Sequence, residues 1–165
     1  MAMSKIGHSQ GFTLIEILVV LAIIAILSML ALPAPEATLT RKQVAESLEL
    51  IEDFKKLALV NYKLTAEFPV DNKALGIPKP ELLLGNYVTK IELEAGAFHL
   101  YFGNKATGFI KDKILTVRPV VVKGSPQSPA SWICGNSEVP NAMTGVGDNK
   151  TSIEDRYLPI ACRDL

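Results

Sequence analysis

Polar and apolar positions divide the chain sharply. Residues 1–11 form a short polar stretch carrying Lys5, and then Ile17–Leu32 runs without a charge, with Ser28 as its sole polar side chain. One carboxylate, Glu16, stands just inside the apolar boundary. Written as an α-helix, Phe12–Leu32 would reach roughly 30 Å, the thickness of a bilayer's hydrocarbon core, so the pattern predicts a membrane-length helix. A carboxylate in such a helix is costly, less so near an end, and Glu16 therefore needs a use. A conventional secretory signal would follow its apolar region with a small-residue cleavage site, whereas this one runs into Leu32-Pro33-Ala34-Pro35. Pro33 removes a backbone donor and crowds the preceding turn, which predicts a bend or break there.

A second helical pattern extends from Ala37 to Leu64. Val44, Leu48, Ile51, Phe54, Ala58 and Tyr62 recur at spacings of three or four and share one face. Lys42 with Glu46, and Glu52 with Lys56, are spaced for ion pairs on the rest of the surface. The apolar face has two readings, a groove for a partner or packing on this chain's own sheet, and the second is the simpler.

Residues 65–85 contain Pro69, Gly76, Pro78 and Pro80 and read as a long loop. Strand patterns follow at Tyr87–Leu93, Ala97–Phe102 and Ile114–Val122, with a fourth at Ser131–Cys134. Their short connections predict an antiparallel meander, and Pro119 demotes part of the third strand to an edge or bulge. The expected class is α+β: a long N-terminal helix, apolar in its first half and amphipathic in its second, packed on a small antiparallel sheet.

Composition narrows the function. With 165 residues and 48% hydrophobic content, the chain supports one domain plus an appendage. Seventeen basic residues balance seventeen acidic ones, which argues against a protein that coats nucleic acid, although a local patch is compatible with this balance. Cys134 and Cys162 are the two cysteines, and an isolated pair reads more naturally as a disulfide than as a metal site.

Catalytic patterns are sparse. His8 lies in the polar leader, and His99 alternates with Phe98 and Leu100 in a strand pattern, the setting of a surface or satisfied histidine. Gly145-Val146-Gly147 lacks the strand, helix and third glycine of a dinucleotide site. Asp148, Glu154 and Asp155 match no calcium-loop spacing. Asn149-Lys150-Thr151 fits a glycosylation sequon, a pattern that recurs by chance. No enzyme activity, cofactor or metal is expected.

One reading accounts for the leader, for Glu16 and for the retained apolar run together. Gly11-Phe12-Thr13-Leu14-Ile15-Glu16 followed by the apolar run resembles the N-terminus of type IV pilins and related pseudopilins. The resemblance implies a leader, residues 1–11, cut between Gly11 and Phe12 by a prepilin peptidase, and methylation of the new Phe12 amine. It implies that residues 12–33 form the membrane and filament-core helix, and that 34–165 form a globular domain of pilin fold. Ala25 departs from a frequent glycine of that family, and Pro35 and Thr38 from frequent aromatics, while Pro33 occupies the usual proline position.

The resemblance also gives Glu16 a partner. A cationic Phe12 amine and an anionic Glu16 are four residues apart, and either would be costly alone in an apolar bundle. In the family, the carboxylate at this position meets the amine of a neighbouring subunit and sets its register. A bond to the amine of its own chain, or a place at the membrane interface, is the competing reading.

Trp132-Ile133-Cys134 and Tyr157 to Arg163 resemble the disulfide-bounded region of type IVa pilins. A Cys134–Cys162 bridge would close a polar loop of about 29 residues, worth roughly 3 to 4 kcal/mol, and that loop has little of its own to bury. The implied function is a structural subunit of a bacterial type IV pilus serving attachment, twitching motility or DNA uptake. Its partners would be other pilin subunits, the peptidase, the inner-membrane assembly machinery, and DNA or a host surface. The chain would lie first in the inner membrane and then in an extracellular fimbrium. Alternatives are a minor pilin, a secretion pseudopilin, or a competence pilin that binds DNA through Lys123, Lys150, Arg156 and Arg163; acidic residues interleaved with these four argue for a mixed-charge surface instead.

Overall fold

The computed structural model describes residues 11–31 and 35–164. Pro33, with the bend expected there, and the leader before Gly11 lie outside them. The chain divides into two compact units, Met1–Pro35 and Glu36–Leu165. In the first, α1 (Leu14–Ala31) carries the apolar run. At 18 residues it is about 27 Å long. Among the described residues no helix is long and apolar enough to cross a membrane.

The second unit begins with the amphipathic pattern, which forms two helices in place of one. These are α2 (Pro35–Glu49) and α3 (Glu52–Thr65). Neither glycine nor proline causes the break. The Leu50 and Ile51 amides bond to Ser47 and Leu48, three residues back, so the turn tightens there. Just before it, the buried Ser47 hydroxyl donates to the Gln43 carbonyl at 2.8 Å, a back-bond that bends helices. Ile51 is wholly buried at the break, so the core holds the kinked backbone in place.

The periodic face itself forms as expected. Val44, Ile51 and Ala58 are buried in one cluster with Ile91, Leu93, Phe98 and Leu100 of the sheet, and Leu48 and Phe54 pack against it. The apolar face is therefore core, not an open groove. The ion pairs differ from the expected spacing: Glu52 pairs with Lys55 and Asp53 with Lys56, each three residues apart. Glu46 instead accepts a hydrogen bond from Asn86 at 2.9 Å.

Five strands make one antiparallel sheet: β1 (Val88–Glu94), β2 (Ala97–Phe102), β3 (Ile114–Val121), β4 (Ser131–Cys134) and β5 (Thr144–Gly145). The first four lie in sequence order, and β5 pairs with β3. Pro119 is thus not in an edge strand. It pairs with Trp132 of β4 on one side; on the other, β2 ends its pairing at Val117 and β5 begins at Val120. A residue without an N–H fits that gap between two neighbours.

The proline-rich loop contains two short turns of helix, α4 (Asn72–Leu75) and a 3₁₀ turn at Pro80–Leu82. Asp71 caps α4 by accepting the Ala74 amide at 2.7 Å. Buried Asn72 then bonds to the free edge of β1: its amide donates to the Ile91 carbonyl at 3.1 Å, and its oxygen accepts the Leu93 amide at 2.7 Å. One side chain supplies what a further strand would, and blunts an edge open to unwanted pairing.

Candidate functional site

The sequence Thr-Leu-Ile-Glu has a local structural meaning. Thr13 precedes the first residue of α1, and its hydroxyl oxygen accepts the Glu16 amide at 3.3 Å. That is half of a capping box, with Thr13 as the cap and Glu16 three residues on. Glu16 also places negative charge in the first turn, where the helix dipole favours it. Thr13 was legible from the S/T-x-x-E pattern but was absorbed into the processing motif.

Gly11 and Phe12 lie outside the helix, with Phe12 78% exposed. An i,i+4 helical relation therefore does not join Phe12 to Glu16. None of the ion pairs among the described residues involves Glu16. From Leu14 to Leu27 the large apolar side chains of α1 stand exposed all round the helix. A helix apolar on every side requires a surrounding apolar medium, whether lipid or other helices. Ser28 satisfies its hydroxyl within the helix on the Ile24 carbonyl at 2.7 Å, so it needs no partner.

The second element is the C-terminal region. Cys134, the last residue of β4, is disulfide-bonded to Cys162, which is wholly buried at the end of a 3₁₀ turn (Ile160–Cys162). Gly135 follows in a left-handed conformation, φ 60°, and a Cβ there would run into the Cys162 carbonyl oxygen. The bridged loop is better anchored than its composition suggests. Ile153, Tyr157 and Leu158 are buried in the main core, which corrects the expectation that the segment has little to bury.

Hydrogen bonds fasten the same loop along β3. Lys150 donates its amide to the Thr116 hydroxyl at 2.9 Å, Thr151 accepts the Thr116 amide at 3.0 Å, and Ser152 exchanges bonds with Ile114. Residues 150–152 thereby continue the edge that β4 leaves at Val117. Lys150 also forms an ion pair with Glu94. Beside that pair His99, 1% exposed, approaches Thr116 with Nδ1 at 2.9 Å and Glu94 with Nε2 at 3.6 Å. Burial, and secondarily the Lys150 charge, hold His99 below its ordinary pKa. It is a satisfied core histidine. Nearby, burial and a 2.8 Å bond to Glu92 push the Tyr101 phenol up to about 12.

The four cations considered for phosphate binding are mostly engaged. Lys150 pairs with Glu94, Arg156 pairs with Glu154 at 2.9 Å and lies over the Tyr157 ring, and Arg163 donates Nε to the Leu158 carbonyl at 2.9 Å. Lys123 lies in a turn after β3 and lines one groove together with Glu67. A bare basic patch does not result, and the DNA-binding alternative is not favoured. Among the described residues no group of acids, histidines or cysteines is arranged to hold a metal. Asn149 of the sequon uses its amide on the Gly135 carbonyl at 2.9 Å and its oxygen on the Thr151 amide at 3.1 Å.

Sequence comparison joins these two elements. Residues 7–32 match the prokaryotic N-terminal methylation motif and residues 40–163 match the pilin family of bacterial filaments. A type IV major pilin protein PilE of Neisseria gonorrhoeae is 32% identical over 161 residues, covering 94% of each chain. A fimbrial protein of Neisseria meningitidis serogroup B is 30% identical over 164 residues, again 94% of each. Fimbrial protein EcpC of Eikenella corrodens is 29% identical over 158 residues, covering 94% of this chain and 91% of its own. With a uniformly apolar helix behind a methylation motif and a disulfide-bounded α+β head, the chain belongs to the pilin family and is a structural pilin subunit.

Proposed function

We propose that this chain is the major subunit of a type IV pilus, made as a precursor. A prepilin peptidase cuts it between Gly11 and Phe12, the Phe12 amine is methylated, and the apolar run of residues 12–33 holds the protein in the inner membrane. The assembly machinery then moves that helix into the fibre, where Glu16 meets the Phe12 amine of a neighbouring subunit. Residues 34–165, with the bridged region 134–162, face outward, and the finished filament lies outside the cell.

The observation that carries this reading is α1: apolar on all sides, with Glu16 as its single charge, held in a capped first turn. Such a helix exchanges lipid for other helices at little hydrophobic cost, so transfer from membrane to fibre leaves the carboxylate as the group with most to gain from a defined partner. Relatives named as type IV major pilins support the major over the minor role.

Mass spectrometry of filaments sheared from the cell surface tests the proposal. The chain should dominate the preparation and begin at a methylated Phe12. Filaments that lack the chain, or contain it with residues 1–11 attached, would reject it.

A further inference from the structure

The connection between β2 and β3, residues 103–113, is folded against the first turns of α2. The Thr107 amide donates to Gln43 Oε1 at 2.9 Å, and the Thr40 and Thr107 hydroxyls are 3.0 Å apart. The Phe109 ring, 42% exposed, stacks on Tyr157 with 4.8 Å between centroids, and the Arg156 guanidinium lies over the same tyrosine at 4.7 Å. Arg41 closes the group by donating Nε to the Arg156 carbonyl at 2.9 Å. The start of α2, this connection and the 3₁₀ turn Asp155–Tyr157 thus meet at one end of the sheet, where β2 stops and β3 begins.

The same end carries cations that the fold does not use up. Lys111 and Lys113 are exposed, Arg41 is half-buried, and among the described residues none of the three forms an ion pair. Of the acids near them, Glu154 pairs with Arg156 and Asp155 accepts from Asn136, which leaves Asp112 and Glu36. An exposed aromatic ring between basic side chains suits a membrane interface: the ring fits the headgroup level and the cations fit lipid phosphates.

Chain continuity puts a membrane within reach. α1 ends at Ala31 and α2 begins at Pro35, so Arg41 lies no more than about 25 Å from the last residue of α1, whatever angle joins the two units. A surface tethered that closely meets headgroups at high effective concentration, and weak contacts then suffice. Nucleic acid has no such tether to this chain.

We propose that, while α1 resides in the membrane, Arg41, Phe109, Lys111 and Lys113 rest the globular unit on anionic phospholipid headgroups, with the ring at headgroup level and the three cations on phosphates. The contact holds the stored subunit in one attitude to the bilayer and is given up when the helix enters the fibre. The inference rests on the reading that the apolar helix is held in a membrane before assembly.

NMR of the full chain in phosphatidylcholine nanodiscs containing a gadolinium-chelating lipid, with and without phosphatidylglycerol, tests it. Phosphatidylglycerol should increase paramagnetic broadening of the amides of residues 107–113 severalfold, but not of Gly96 and Gly124 at the other end of the strands, and salt should erase the increase. Lys111→Glu with Lys113→Glu should cut the increase roughly tenfold or more, and Asp112→Asn should enlarge it, with unfolding midpoints unchanged. Equal broadening in both discs overturns the contact and leaves membrane storage standing. A chain that enters neither kind of disc overturns the storage reading as well. Shifts of the same amides on adding duplex DNA to neutral discs, with no response to phosphatidylglycerol, overturn the contact and reassign the surface to nucleic acid.

Discussion

His99 Nδ1 and the Thr116 hydroxyl oxygen are 2.9 Å apart, and the same oxygen accepts the Lys150 amide. The ring is thus held between the Thr116 hydroxyl and the Glu94 carboxylate, 3.6 Å from Nε2. Burial of the ring favours its neutral form.

That arrangement has a pH consequence. Burial first, and the Lys150 charge second, lower the folded His99 pKa, against the raising influence of Glu94, Glu92 and Asp148. The unfolded chain therefore takes up the proton first as pH falls, so stability present above about pH 6.5 is lost on the way down through the lowered folded value. Urea midpoints should drop between pH 7.5 and pH 5, and His99→Gln should flatten that part of the profile. An unchanged slope in the variant would assign the loss to other groups.

Asn72 satisfies two backbone groups at the edge of β1 from a buried position. Asn72→Ala leaves the Ile91 carbonyl and the Leu93 amide without partners, which should cost about 2 to 4 kcal/mol. Denaturant unfolding measures the loss, and hydrogen exchange should locate it at Leu93. A loss below about 1 kcal/mol would mean that water replaces the side chain.

Removing the Cys134–Cys162 bridge should lower stability by roughly 3 to 4 kcal/mol through the chain entropy of its loop. Because Ile153, Tyr157 and Leu158 are anchored in the core, Cys134→Ser should loosen residues 136–148 while leaving 150–158 protected. Hydrogen exchange distinguishes this outcome from collapse of the whole region.

Glu16→Gln separates charge from capping. Glutamine can still serve the third position of a capping box, while alanine cannot. If the carboxylate pairs with a neighbour's amine, both variants should be inserted and cleaved normally but assemble poorly. Wild-type filament yield from Glu16→Gln would reduce the residue's role to helix capping.

The residues that were legible in the sequence are those whose chemistry repeats or stands alone. Apolar, β-branched and aromatic runs bounded by turn residues gave β2 and β4 to the residue, and β1 and β3 to within one. The helix break at Leu50 and Ile51 was not legible, since it comes from a serine back-bond and a tight turn held by packing, with no breaker residue. β5 is two residues long, too short for any period. Asn72 looked like one polar loop residue among many; its importance depends on a strand edge some twenty positions away. At the N-terminal end the methylation motif was legible because a carboxylate beside a charge-free run is conspicuous, and the disulfide because Cys134 and Cys162 are the chain's only cysteines.

The uniformity of α1 also limits what that helix can say to its neighbours. Interlocking leucines on one stripe would offer several snug positions a turn apart, and a rod greasy on every side makes sliding and rotation nearly equivalent in energy at each step. Such a rod moves readily but holds no place along its own length. In the proposed fibre, positional information falls instead to its ends: a charged group at the first turn, and the folded head that follows.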